Sequence, residues 1–147
     1  MQSQRLVQRY HQTQVETSNP LLLIVLAYDG ILRSLQKAME SERKGDFGEK
    51  GLEIQRALDL INELWSSLDM EKGKETAVAL AAIYRYASSQ IILASVRRDI
   101  RTLESVYGLL KELRESWAQV KTSKVEDGAD MPVAAGISYS KAPALAY

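Results

Sequence analysis

The sequence predicts an all-α fold, an antiparallel up-down four-helix bundle with a short N-terminal helix or arm and a flexible C-terminal tail. Three observations predict it. Apolar residues recur at three- and four-residue intervals through four separate stretches, strand-like alternation is missing, and only three prolines interrupt 147 residues. The links between the stretches are short, which favours antiparallel neighbours.

The first helix is announced by Ser18 and Asn19 as capping candidates and by Pro20 at the first helical position, where its missing N–H costs nothing. It is expected to run to about Arg43. Gly45 then breaks the period, and Asp46 with Glu49 forms an approximate capping box that opens a second helix through about Leu68. Its buried side reads as Phe47, Ile54, Leu58, Ile61, Trp65 and Leu68. Residues 69–74, charged and containing Gly73, read as a short link. The third helix is expected over 75–97, and Asp99 caps a fourth running to about Val120 with Leu103, Val106, Tyr107, Leu110, Leu113 and Trp117 inward.

The expected organisation is therefore one domain: an arm over 1–18, a bundle over 19–121 and a tail over 122–147. The tail is rich in alanine, glycine and serine and has no helical period, while the glutamine-rich arm carries Leu6, Val7, Tyr10 and Val15.

Composition excludes several classes of function. Lys plus Arg number 19 and so do Asp plus Glu, so no net field draws the chain to nucleic acid or anionic lipid. Cysteine is absent, which removes thiol nucleophiles and thiolate metal sites and fits a reducing compartment, the cytosol by default. The apolar run over 21–28 is far shorter than the roughly 20 residues of a bilayer span, and Glu16 ahead of it is wrong for a secretory signal, so no membrane insertion is expected. His11 is the only histidine and has no partner at ligand spacing. Carboxylates alternate with Lys and Arg on solvated helix faces, and no nucleophile, base and oxyanion grouping emerges. Neither an enzyme nor a cofactor is expected.

Helical projection separates the four helices into two kinds. The second and fourth have one apolar stripe each and charged outer sides. The first has a core stripe of Leu21, Ile24, Val25, Tyr28, Ile31, Leu32, Leu35 and Met39, yet Leu22, Leu23 and Leu26 project the other way. The third has a core stripe of Ala77, Leu80, Ala81, Tyr84, Ala87 and Ile91, with Val78, Ala79, Ala82, Tyr86 and Leu93 opposite. Apolar back faces of this size predict a covering segment or a partner. Because the first and third helices are diagonal in an up-down bundle, a partner that meets both must be long and must wrap. The plainer alternative is that the arm covers one face while the tail or a homodimer covers the other.

The run Tyr10-His-Gln-Thr-Gln-Val15-Glu-Thr17-Ser-Asn-Pro20, followed by Leu26-Ala-Tyr28-Asp29-Gly30, resembles the N-terminal signature of the FliS family of flagellin-export chaperones. Ser67-Leu68-Asp69, Ile83-Tyr84-Arg-Tyr86, and Asp99 with Leu113-Arg114-Glu-Ser-Trp117 resemble its later segments, in order, so the likeness covers about 10–117. The resemblance implies a cytosolic helical bundle that binds the disordered C-terminal part of flagellin, prevents premature polymerisation and accompanies it to the export gate, with other flagellar proteins as further partners. It also implies that the segment around Tyr10, with Val15 helping to seat it, acts as a lid on the binding groove. Arg85 stands where the family usually has an acidic residue between two tyrosines, and Leu22 and Leu23 stand where more polar residues are common. On this reading the partner-binding residues are Tyr10, Val15, Leu22, Leu23, Leu26, Val78, Ala79, Ala82, Tyr86 and Leu93.

Tyr84 reads as a core aromatic and Tyr86 as a contact residue, since it projects away from the core with a hydroxyl for a wet rim. A glycine at position 30 costs a helix roughly 1 kcal/mol against alanine, which close helix approach would explain.

Overall fold

Four helices form in chain order: α1 (Pro20–Lys44), α2 (Phe47–Ser66), α3 (Met70–Arg97) and α4 (Ile100–Ala118). The computed structural model describes residues 19–120. The arm over 1–18 and the chain from residue 121 on, and with them Tyr10, His11 and Val15, lie outside the described residues.

Each helix starts on an Asn or Asp whose side chain accepts a backbone N–H three residues on. Asn19 accepts from Leu22 at 3.2 Å, Asp46 from Glu49, Asp69 from Lys72 and Asp99 from Thr102, the last three at 3.1 Å. These bonds satisfy donors that the first turn cannot pair internally. Gly45 ends α1 with φ of 76°, a left-handed residue where a side chain would be strained.

The start of α3 departs from the sequence reading. Asp69 caps a helical turn at Met70, within the stretch expected to be a link, because its carboxylate captures the Lys72 N–H. Helical geometry then breaks at Lys74, with φ of 47°, and resumes through Arg97.

Neighbouring helices pack in a ring, α1 on α2, α2 on α3, α3 on α4 and α4 on α1, so α1 and α3 are diagonal as the sequence argument requires. The core between them holds Tyr28, Ile31, Leu35, Leu60, Ile61, Leu80, Tyr84, Ile91, Leu103 and Leu110. Leu58, Tyr107 and Val25 are only partly buried at its edge.

The α1–α2 contact is the most extensive. A stripe of small residues on α1, Ala27, Gly30, Ser34, Ala38 and Ser41, is buried and lets α2 come close. At Gly30 a Cβ would lie 2.7 Å from the Leu60 side chain. Gly30→Val should therefore lower stability by roughly 1–3 kcal/mol through overpacking, read as a lower urea midpoint at unchanged slope.

Across the diagonal, the Tyr28 and Tyr84 hydroxyls share a hydrogen bond of 2.6 Å inside the core. Burial pushes the Tyr28 hydroxyl up to about 12, with hydrogen bonding to Tyr84 and Trp117 partly offsetting it. The fold favours the neutral phenol, so this contribution is whole below the ordinary tyrosine value of about 10 and is lost as pH rises from there toward the folded value. Urea midpoints should consequently fall more steeply above about pH 10 in the wild type than in Tyr28→Phe.

One end of the bundle is held by a buried ion pair. Glu42, near the end of α1, receives Lys50 Nζ of α2 at 2.8 Å and Arg98 Nε, from the α3–α4 turn, at 2.8 Å. Lys50 also donates to the Ser95 carbonyl at 3.0 Å. Phe47 lies beneath both cations, its ring centre 5.2 Å from Lys50 Nζ and 4.7 Å from the Arg98 guanidinium carbon. That role explains a correction: Phe47, expected on the buried side of α2, is exposed, and so is Trp65. The two share an angular position at the flank of α2, just beyond its core stripe.

Candidate docking surface

The outward side of α3 carries the longest apolar surface. Val78, Ala79, Ala82, Tyr86 and Leu93 are all exposed, as the projection predicts, with Tyr86 at 53%. The same side continues through Ile92 and Val96, the latter 77% exposed, which the sequence reading left out. From Val78 to Val96 the strip is about 27 Å long at 1.5 Å per residue. Ala82 and Ser89 are small positions on it, while Val78, Tyr86 and Leu93 stand out from the surface. Only Arg85 is charged over residues 78–96.

Two full apolar sides give α3 an unusual composition: it is the one helix among the described residues long and apolar enough, by those criteria alone, to cross a membrane. Its inner stripe, Ala77, Leu80, Tyr84, Ala87 and Ile91, is buried in the bundle core. Ala81, expected in that stripe, is half-buried.

The back of α1 is a much smaller feature. Leu22 and Leu26 are exposed, the latter at 37%, but beyond them the outer side turns polar with Asp29, Arg33, Gln36, Lys37 and Glu40. Leu23 is a correction: it is 3% exposed and belongs to the core. The reason is the small-residue stripe, which widens the buried arc of α1 toward α2 and takes in the position in line with Ala27 and Gly30. Leu23 therefore leaves the candidate surface.

The α1–α4 seam is closed by polar contacts. Arg114 donates to Asp29 at 2.8 Å, and Gln36 donates to the Tyr107 hydroxyl at 2.9 Å. An apolar partner finds little to grip there. Two more large apolar side chains are exposed: Trp65, which the periodicity had put on the buried side of α2, and Ile92 on α3, which the sequence reading did not single out. A fuller projection of the outer side of α3, where Ile92 falls within 40° of Val78, would have found it.

Comparison with known proteins places the chain in a family. The model of the family described as flagellar protein FliS matches residues 2–124. The chain is similar to the flagellar secretion chaperone FliS of Salmonella typhimurium, 34% identical over 119 residues, which are 78% of this chain and 88% of that protein. It is 31% identical over 121 residues to the flagellar secretion chaperone FliSB of Pseudomonas aeruginosa, covering 80% and 96% of the two chains. To the flagellar secretion chaperone FliS of Campylobacter jejuni it is 29% identical over 124 residues, 84% and 97% of the two.

Proposed function

This chain belongs to the FliS family of flagellar secretion chaperones, with a chaperone role in flagellar export, and from that premise we propose that it binds the disordered C-terminal region of flagellin along the outer face of α3. The exposed strip from Val78 to Val96 carries the reading. Water-exposed apolar surface of this length is unusual on a monomeric domain and is stabilised when a partner covers it. An unfolded client offsets its ordering cost by a large contact area, which a strip of this length helps to supply.

Occupying the client's C-terminal region keeps it from pairing with other flagellin subunits, so binding and prevention of early polymerisation are the same event. Leu22 and Leu26 on α1 form a second, smaller contact for a client that wraps to the far side, and Tyr10 and Val15 belong to an arm that competes for the same surface. The setting is the cytosol, where unexported flagellin accumulates, and the chain works by binding without chemistry, delivering its client to the export gate.

Titration calorimetry with the C-terminal segment of the flagellin from the same organism should give one-to-one binding with a negative heat-capacity change. No heat, together with a stable homodimer in light scattering, would replace this reading by that of a self-associating adaptor.

A further inference from the structure

Resting on the docking reading above, we infer that the segment lying on α3 brings a carboxylate to Arg85, and that this pair selects the client. Arg85 is exposed and is the lone charge on an apolar strip nineteen residues long, from Val78 to Val96. It makes no ion pair with any described residue. The positions one turn away on its own helix, Ala81, Ala82, Ser88 and Ser89, offer no acid. Other exposed cations, such as Arg33, Lys37 and Lys111, also make no ion pair with a described residue, but Arg85 is the one set within the apolar strip.

A partner that covers the strip strips water from this guanidinium. Left unpaired, the cation would cost more than the surrounding apolar contacts return, so a purely apolar segment is rejected. A carboxylate fits the need best, because the planar guanidinium fork takes both carboxylate oxygens at once. Ala82 and Ser89 on either side leave room for a short acidic side chain to reach down between two apolar anchors. The client chemistry that fits is thus an amphipathic segment with apolar residues spaced to meet Val78 and Leu93 and an Asp or Glu between them.

The experiment is titration of the flagellin C-terminal segment against the full-length chain carrying Arg85, Arg85→Gln or Arg85→Glu, each at low and high salt. Arg85→Glu should weaken binding about tenfold or more by setting like charges together. Added salt should weaken the wild type and leave Arg85→Gln unchanged, and replacing the matching acid of the segment by Lys should restore binding to Arg85→Glu. Equal binding by all three proteins overturns the inference while leaving the docking reading intact. If the wild type does not bind at all, the docking reading fails and this inference goes with it. A third outcome also overturns it: neutralising Glu126, Asp127 and Asp130 together raises affinity in the wild type but not in Arg85→Glu, which assigns the carboxylate to the chain's own tail.

Discussion

Tyr86→Glu and Leu93→Glu made together should abolish capture of the flagellin segment, a loss of more than about a hundredfold. Both side chains are exposed, so charging them costs the folded monomer little, and the helical circular dichroism and thermal midpoint should stay within error of the wild type. In the complex each carboxylate would be buried against apolar client groups, and the strip's one cation, Arg85, is on the inference above already engaged by the client. Glu112→Lys on the charged outer side of α4 serves as the control and should bind normally. Retained affinity in the double variant would move the docking surface off α3, to Leu22 and Leu26 or to Trp65 on α2.

Glu42→Ala should be the most damaging single polar substitution. Lys50 is buried beside Glu42, and removing the carboxylate leaves the ammonium with the Ser95 carbonyl and the Phe47 ring but no counter-charge. A drop in thermal midpoint on the order of 10 °C is expected, whereas Glu40→Ala, which breaks an exposed pair with Lys44, should hardly register. The pH dependence follows the same geometry. Hydrogen bonds from Lys50 and then Arg98 hold the Glu42 carboxyl below its ordinary value, so its contribution is present at neutral pH and is lost as pH falls through and below about 4. Acid unfolding of Glu42→Gln should accordingly begin from a lower plateau and show a shallower slope in that range.

Much of the bundle is readable from periodicity and caps alone. Asn19, Asp46 and Asp99 announce their helices because a cap is a local event, complete within three residues. Tyr84 and Tyr86, two positions apart on one helix, were separable into core and surface by a 200° rotation. What escaped the sequence has a common cause, dependence on a neighbouring helix. Leu23 is buried because α2 approaches the small side of α1, and the approach is visible only once Gly30 is seen against Leu60. Phe47 lies under two cations, one of which comes from Arg98, far away in the chain. The triad of Glu42, Lys50 and Arg98 joins three helix ends that no spacing rule connects. Asp69 is the exception, a local cap hidden by the charged residues and Gly73 around it.

The uninterrupted strip on α3 also acts as a ruler. Over about 27 Å a helical occupant lays down roughly 18 residues, an extended one roughly 8. The shortest peptide that keeps full affinity therefore reports the conformation of the bound chain before any complex is visualised. Peptide length, more than peptide composition, becomes the quantity to vary first.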